Sequence, residues 1–324
     1  MPSEFDIIHR YFAGSNLAPP TTDKQCLLGI GDDCALLQSD AACSLAFSVD
    51  TLVDGVHFPN DSPAFLVGYR ALMVNVSDLA AMGATPAYFT LALTIPWSDE
   101  QWIHDFAEGL SAVAKMHSIY LIGGDTTRGP LSITIQVIGQ VLPNNALKRS
   151  GAKVGDGIYV TGTLGDAMAG LQILQEEIMG DDSAMDYLIN RFYQPSARVE
   201  VGKALGGVAN SAIDISDGLL ADLSHILKAS EVGARVLIDS VPLSESLLSI
   251  MDKKAAQQLA LTGGDDYELC FTASKDKENK LAEISESTGV TIRRIGEITG
   301  DKELTCVDSN NETVEFTTLG FRHF

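Results

Sequence analysis

The chain has 324 residues, 45% of them hydrophobic and 20% charged, an ordinary globular composition long enough for two domains. Lys and Arg number 22 against 43 Asp and Glu, a net charge of −21. This argues against nucleic acid and anionic membranes as partners, because both need clustered cations, but leaves small phosphorylated ligands accessible through bridging Mg²⁺.

The opening Met1-Pro2-Ser3-Glu4-Phe5-Asp6 lacks a basic region followed by an apolar run, so no secretory signal is expected. No apolar stretch reaches the roughly 20 residues of a membrane helix. Cys26, Cys34, Cys43, Cys270 and Cys306 form no CxxC pair and read as reduced thiols, and a cytoplasmic protein is expected.

In chain order, Leu45 to Thr51 reads as a strand ending near Asp50, with Ser48 and Asp50 on one face. Ser62-Pro63 reads as a helix start, and Leu66, Tyr69, Met73, Val76 and Ala80 then recur at helical spacing as a buried face. That helix carries Asp78 near its C-terminal end, where a carboxylate opposes the dipole and a metal would compensate it; Arg70, two turns away, is another partner for it. Tyr88 to Ile95 is a strand, and Ser98 with Gln101 reads as a capping box opening a helix to about His117. Ile119 to Ile122 reads as a short strand that ends in a Gly123-Gly124-Asp125 loop, and Leu131 to Val141 as a long strand.

A boundary is expected at Pro143, giving domains 1–143 and 144–324. The second half restarts with a strand at Ile158 to Thr161, then helices over 165–177, 185–193 and 197–205. A strand at Ala212 to Ile215 runs into Ser216-Asp217-Gly218, which reads as a helix start and an anion and cation site. Strands near 235–238, 269–273 and 291–298 alternate with helices near 243–250 and 277–288. The class is α/β or α+β in two domains.

Six aspartate clusters punctuate these elements: Gly29 to Asp33, Ser48 to Asp50, Asn75 to Asp78, Gly123 to Asp125, Asp214 to Gly218 and Gly263 to Asp266. Taken singly, each is also a plausible surface turn, strand end or helix cap. Together, hard oxygen donors beside glycines and hydroxyls point to Mg²⁺-dependent phosphate chemistry. A non-catalytic acidic cation-binding protein is the rival from another class, and it leaves the glycines and hydroxyls unexplained.

Read in order, Gly29-Ile30-Gly31-Asp32-Asp33-Cys34-Ala35, Asn75 to Gly83, Leu121 to Gly129, Arg149-Ser150-Gly151-Ala152, Ser211 to Gly218 and Gly263 to Leu269 resemble the thiamine-monophosphate kinase family, from about Glu4 to the Gly320-Phe321-Arg322-His323-Phe324 tail. The resemblance implies the fold of aminoimidazole ribonucleotide synthetase, with an N-terminal domain that dimerises through its sheet and a C-terminal α/β domain that completes the ATP and substrate site. It implies ATP-dependent, in-line phosphorylation of thiamine monophosphate to thiamine diphosphate by a homodimer with several Mg²⁺ ions. By the same resemblance, Asp33, Ser48, Asp50, Asp78, Asp125, Asp214 and Asp217 are Mg²⁺ ligands, and Asp50, Asp78, Asp125 and Asp217 act directly in the transfer. Gly124, Asp125, Arg149 and Ser216 contact ATP, and His57, Asp265 and Phe321 contact the acceptor. The family often has Ser-Thr-Asp where this chain has Ser48-Val49-Asp50, so any ligand at 49 is the backbone carbonyl. Other enzymes of this fold use ATP, but those relying on a terminal Cys are disfavoured by a tail that has none.

Overall fold

The computed structural model describes residues 4–13, 15–20, 22–30, 34–38, 40–316 and 318–321. The chain divides into two compact units, Met1–Leu79 with Ala84–Pro143, and Ala80–Gly83 with Asn144–Phe324.

The first unit opens with α1 (Glu4–Ile7), which runs on into a π-helical stretch, Ile8–Ala13. A small hairpin follows, β1 (Cys26–Leu28) with β2 (Leu36–Leu37). The main elements are β3 (Ser44–Val53), α2 (Ala64–Ala81), β4 (Thr85–Ile95), α3 (Glu100–His117), β5 (Tyr120–Arg128) and β6 (Ser132–Val141). Their sheet runs β3-β6-β4-β5, antiparallel except for the parallel β4–β5 pair. Ile133, Ile135 and Val137 form its buried face. Helix α2 lies on that face at Gly139, where an added Cβ would come within 2.9 Å of Leu79. It also meets α3 almost backbone to backbone, since a Cβ on Gly68 or Gly109 would fall 2.2 Å from the Phe106 carbonyl or 2.0 Å from that of Phe65.

Three expectations change here. Helix α2 is buried nearly all round rather than on one face, Val67, Leu72, Val74 and Asn75 being enclosed along with Met73 and Val76. It has the length and apolarity of a membrane span, but 72% of it lies inside the fold. The cap of α3 is Asp99, whose carboxylate accepts from the amides of Gln101 and Trp102, because it stands one residue nearer the helix than Ser98. The segment after Ile122 is strand, not loop: β5 continues through Gly123-Gly124-Asp125 to Arg128 because β4 supplies a parallel partner along that whole length.

The second unit contains β7 (Gly157–Thr161), α4 (Asp166–Leu174), α5 (Asp182–Tyr193), α6 (Val199–Leu205), β8 (Ser211–Asp214), α7 (Leu219–Ser230), β9 (Gly233–Leu237), α8 (Glu245–Ile250), α9 (Lys253–Thr262), β10 (Leu269–Ala273), α10 (Glu278–Thr288), β11 (Ile292–Thr299) and β12 (Leu304–Val307). Its sheet runs β12-β9-β11-β7-β10-β8, antiparallel except at β12–β9. Helix α7 packs on it through Leu219, Leu223 and Ile226, against Val160, Ile213 and Val236. Helix α9 and strand β12 went unread in the sequence; α9 is polar on average and β12 has only four residues.

One buried carboxylate ties several of these elements together. Glu268, fully enclosed, accepts from Thr161 Oγ1 at 2.6 Å, Arg191 Nη2 at 3.1 Å, and Arg198 Nε and Nη2 at 2.6 and 2.5 Å. Burial alone would raise its pKa, but Arg198 and Arg191 hold it below the usual carboxylate range. A Cβ at Gly162 (φ +58°) would fall 2.2 Å from this carboxylate, so the strand end beside it must be glycine. Replacing Glu268 with Ala leaves two half-buried guanidinium groups without their carboxylate, and the expected loss is about 2–4 kcal/mol of folding free energy, measured by urea unfolding. A loss below about 1 kcal/mol would mean the cluster does not hold the unit together.

Candidate active site

Two of the sequence clusters meet in the first unit at β3 and α2. Strand alternation puts Ser48 and Asp50 on the face toward α2, where the Ser48 hydroxyl donates to Asp78 Oδ2 at 2.5 Å. The Asp50 amide donates to Asn75 Oδ1 at 3.1 Å, and buried Asn75 is itself fixed by donating to the Ala71 carbonyl at 2.9 Å. Asp50 is exposed and Asp78 half-buried. His57 stands in the turn after β3, and its Nδ1 accepts from the Val53 amide at 2.9 Å. With Nδ1 accepting, Nε2 is the ring nitrogen that can donate.

A cavity of about 880 Å³ lies on the other face of the same sheet, lined by Gly29 and Ile30 from the first cluster, by Cys34 just after it, and by Gly123, Gly124 and Asp125 from β5. Gly124 has φ +152°, and a Cβ there would fall 1.9 Å from the Leu91 carbonyl, so its bare backbone is a requirement of the strand pairing. Ile8 and Phe12 close one side. The sequence reading passed over these two, although their i, i+4 spacing was a legible signal. Asp33, expected as a metal ligand, lies outside the described residues.

Asp50 and Asp125 do not meet within the chain. Asp50 shares a rung with Ile135, Leu91 and Gly124, whereas Asp125 pairs with Ala92, so the two carboxylates leave opposite faces. They also stand on the two edge strands, three strand spacings or about 14 Å apart. One ion cannot be held by both.

In the second unit, the turn after β8 and the turn before β10 are stitched together. Asp265 and Tyr267 donate their amides to the carbonyls of Ser216 and Ile215, both at 2.8 Å. Gly264 permits this approach, since a Cβ there would fall 2.3 Å from the Ser216 carbonyl. Asp214 is buried, and Ser216, Asp217 and Asp265 are half-buried. Asp265 takes a left-handed φ of +71°, and Tyr267 donates its hydroxyl to Asp265 Oδ1 at 3.2 Å. Phe321, 47% exposed, reaches the same turn by donating its amide to the Asp217 carbonyl at 3.0 Å. Arg149 is exposed in a segment fixed to Ser230, whose hydroxyl donates to the Arg149 carbonyl.

The expected anion site at Ser216-Asp217-Gly218 is corrected by the structure. The amides of Ser216, Asp217 and Gly218 converge on Asp222 Oδ2 at 3.0, 3.1 and 3.1 Å, so this nest is filled by the chain's own carboxylate. Helix α7 accordingly starts at Leu219, later than expected. Burial and the neighbouring Asp217 push the Asp222 carboxyl up to about 7, against the pull of the three amides.

The donors suit a hard divalent ion, being carboxylates and hydroxyls throughout. Among the described residues, no three His, Cys, Asp or Glu side chains gather closely enough to hold one. Oxygen donors of this kind, one or two carboxylates at a place, are those Mg²⁺ takes beside its own waters and substrate phosphates.

Residues 31–141 match the N-terminal domain of AIR synthase related proteins, and residues 153–309 match the C-terminal domain. The chain is 48% identical to thiamine-monophosphate kinase of Escherichia coli (strain K12), over 99% of this chain and 98% of that one. Its structure is similar to that of thiamine-monophosphate kinase from Stenotrophomonas maltophilia K279a, with a TM-score of 0.85 and 45% identity, covering 90% of this chain and 93% of the other. It is also similar to AaThiL complexed with AMPPCP and TMP, with a TM-score of 0.79 and 30% identity, covering 89% of each.

Asp222 yields a prediction with a defined sign. Its folded pKa of about 7 lies above the unfolded value of 3.8, so its contribution to stability is complete below pH 3.8 and is lost as pH rises through about 7. Asp222→Asn is expected to flatten the fall in Tm between about pH 4 and pH 7 while keeping an acceptor for the amides. Asp222→Ala, which leaves three N–H groups without it, is expected to cost about 2–3 kcal/mol. An unchanged pH profile in the Asn variant would remove Asp222 from that role.

Proposed function

The chain belongs to the thiamine-monophosphate kinases among the AIR synthase related proteins, and from that premise we propose that it transfers the γ-phosphoryl group of ATP to thiamine monophosphate, giving thiamine diphosphate. The observation that carries the nucleotide half of this reading is the cavity of about 880 Å³ beside Gly124 and Asp125, within the size range of small-ligand sites. AaThiL, similar over most of its length, is complexed with AMPPCP and TMP.

Both substrates are anions, each terminal phosphate carrying about −1.5 to −2 charge near neutral pH. Bound Mg²⁺ would supply the positive charge that lets them approach in this acidic chain. Ser48, Asp50 and Asp78 would hold it in the first unit, with Asp33 and Asp125, and Asp214 and Asp217 in the second. The attacking oxygen of the acceptor phosphate is already ionised at pH 7, so no side chain need remove a proton. Gly124 offers backbone to the nucleotide without a Cβ in the way, and Arg149 and Ser216 are its further contacts in this reading. His57 donates from Nε2 to the acceptor, Asp265 contacts it from the left-handed turn, and Phe321 offers an exposed ring for stacking. Catalysis is then positioning in line, with no covalent phosphoprotein.

We further propose a homodimer in the cytoplasm. Leu45, Phe47 and Val49 of β3 are 40%, 58% and 56% exposed on one sheet face, an apolar strip suited to a second copy. The separation of Asp50 from Asp125 supports the same assembly, with carboxylates from two protomers completing each site.

Purified protein is expected to convert thiamine monophosphate to thiamine diphosphate with ATP and Mg²⁺, detected by chromatography, and EDTA should abolish the product. Folded protein that binds Mg-ATP yet gives no product would reopen the identity of the acceptor. Asp50→Asn and Asp125→Asn should each lower turnover by orders of magnitude. Mixed after subunit exchange, they should recover about a quarter of wild-type activity, because half the dimers would carry one intact site. No recovery in a verified mixed dimer would place both carboxylates in one protomer's site. His57→Ala should raise the KM for thiamine monophosphate roughly tenfold with little change in kcat, and a loss confined to kcat would contradict its role in binding.

A further inference from the structure

The second unit contains a cavity of about 750 Å³ whose lining includes none of Asp214, Asp217, Asp265 or Phe321. Its wall carries Arg191, Arg198, Arg293 and Arg294, four of the ten arginines in a chain of net charge −21. Lone arginines on an acidic protein are expected to be scattered among carboxylates. Arg293 and Arg294 are consecutive on β11 and their side chains leave opposite faces, so Arg191, Arg198 and Arg293 are the three that turn toward the hollow together, a local reversal of the charge trend.

The inner pair is only partly used by the Glu268 cluster. Each guanidinium has five N–H donors. Glu268 takes two from Arg198 and one from Arg191, and Arg191 makes a further long contact of 3.5 Å to the Thr163 carbonyl. Arg191 Nε is buried and makes no hydrogen bond, with Asp166 Oδ2 3.6 Å away. At the rim, Arg293 is exposed and has no ion pair or side-chain hydrogen bond among the described residues, and Arg294 lies 3.7 Å from Glu297. The acids in the wall are Glu268, already bound, and Asp239, paired with Lys253. Beside the arginines stands Tyr187, 41% exposed, with Val241 and Pro242 as further apolar wall.

Guanidinium forks match phosphate oxygens in pairs, and an exposed aromatic ring next to them suits a flat organic body. The volume is that of a small-molecule site. We propose that this cavity binds a small phosphorylated organic molecule at a site separate from the transfer centre, its phosphate toward the arginines and its body against Tyr187. The proposal does not depend on the identity of the acceptor.

The test is calorimetric titration of the full chain with inorganic pyrophosphate and with thiamine diphosphate, in EDTA and low salt. Without divalent ions the aspartate clusters repel phosphate, so the signal reports the arginines. One site per chain is expected, weakened by added KCl. Arg293→Glu, a change at an exposed side chain, should weaken both ligands by at least about tenfold while leaving activity at saturating substrates unchanged. Tyr187→Ala should weaken the organic diphosphate more than pyrophosphate, and Asp125→Asn should alter neither. Absence of binding, binding indifferent to Arg293→Glu, or binding lost in Asp125→Asn would overturn the site. Equal affinity for the two ligands with no effect of Tyr187→Ala would overturn the organic body and leave an inorganic anion.

Discussion

The second unit depends on burying Glu268. A carboxylate enclosed in protein is tolerable only when its charge is met, and here two guanidinium groups and a hydroxyl meet it. The consequence is positional. Glu268 fixes the start of β10 against the end of β7, and its carbonyl accepts from Ile215 at 2.8 Å, which fixes the end of β8 as well. Two residues before it, Asp266 is also buried and accepts from the amides of Gly165 and Ala167 at the start of α4. With 266 and 268 anchored inward, the left-handed backbone at 265 and 267 carries Asp265 to the partly exposed side. A charged interior thereby orients a charged surface.

The same electrostatic economy governs the candidate site. Carboxylate clusters in a chain of −21 repel bare phosphates, and the backbone amides after β8 that might have offset this are occupied by Asp222. At the candidate site the groups left open are the glycine backbone beside Asp125 and the carboxylates themselves. Each cluster offers one or two acids with a hydroxyl or amide neighbour, as at Ser48 and Asp78. Sparse ligation of that kind leaves coordination positions for substrate oxygens, which an ion already caged by protein would lack.

Much of the architecture was legible locally. The helices at 100–117 and 219–230 and the strands at 44–53, 132–141 and 269–273 follow from apolar periodicity, which is a property of neighbouring residues. The readings that failed concern partners far away in sequence. Gly123 to Arg128 looks like a loop because glycine is a poor strand former, and it is a strand because β4 lies beside it. The nest at 216–218 looks open because nothing in its own sequence shows that Asp222 folds back into it.

The sequence by itself determined the chemistry: hard oxygen donors, glycines where backbone must be approached, a resemblance spread over the whole chain, and the family it denotes. Those are carried by residue identity and order. The tertiary structure alone decided which acids can act together. Ser48 and Asp78 meet, and the Asp50 backbone is tied to Asn75 of the same helix, because strand and helix pack; Asp50 and Asp125 part because sheet order places them on opposite edges and faces, and arginines from distant segments line one cavity. Sheet order, register and face are set by long-range pairing, and local sequence does not encode them.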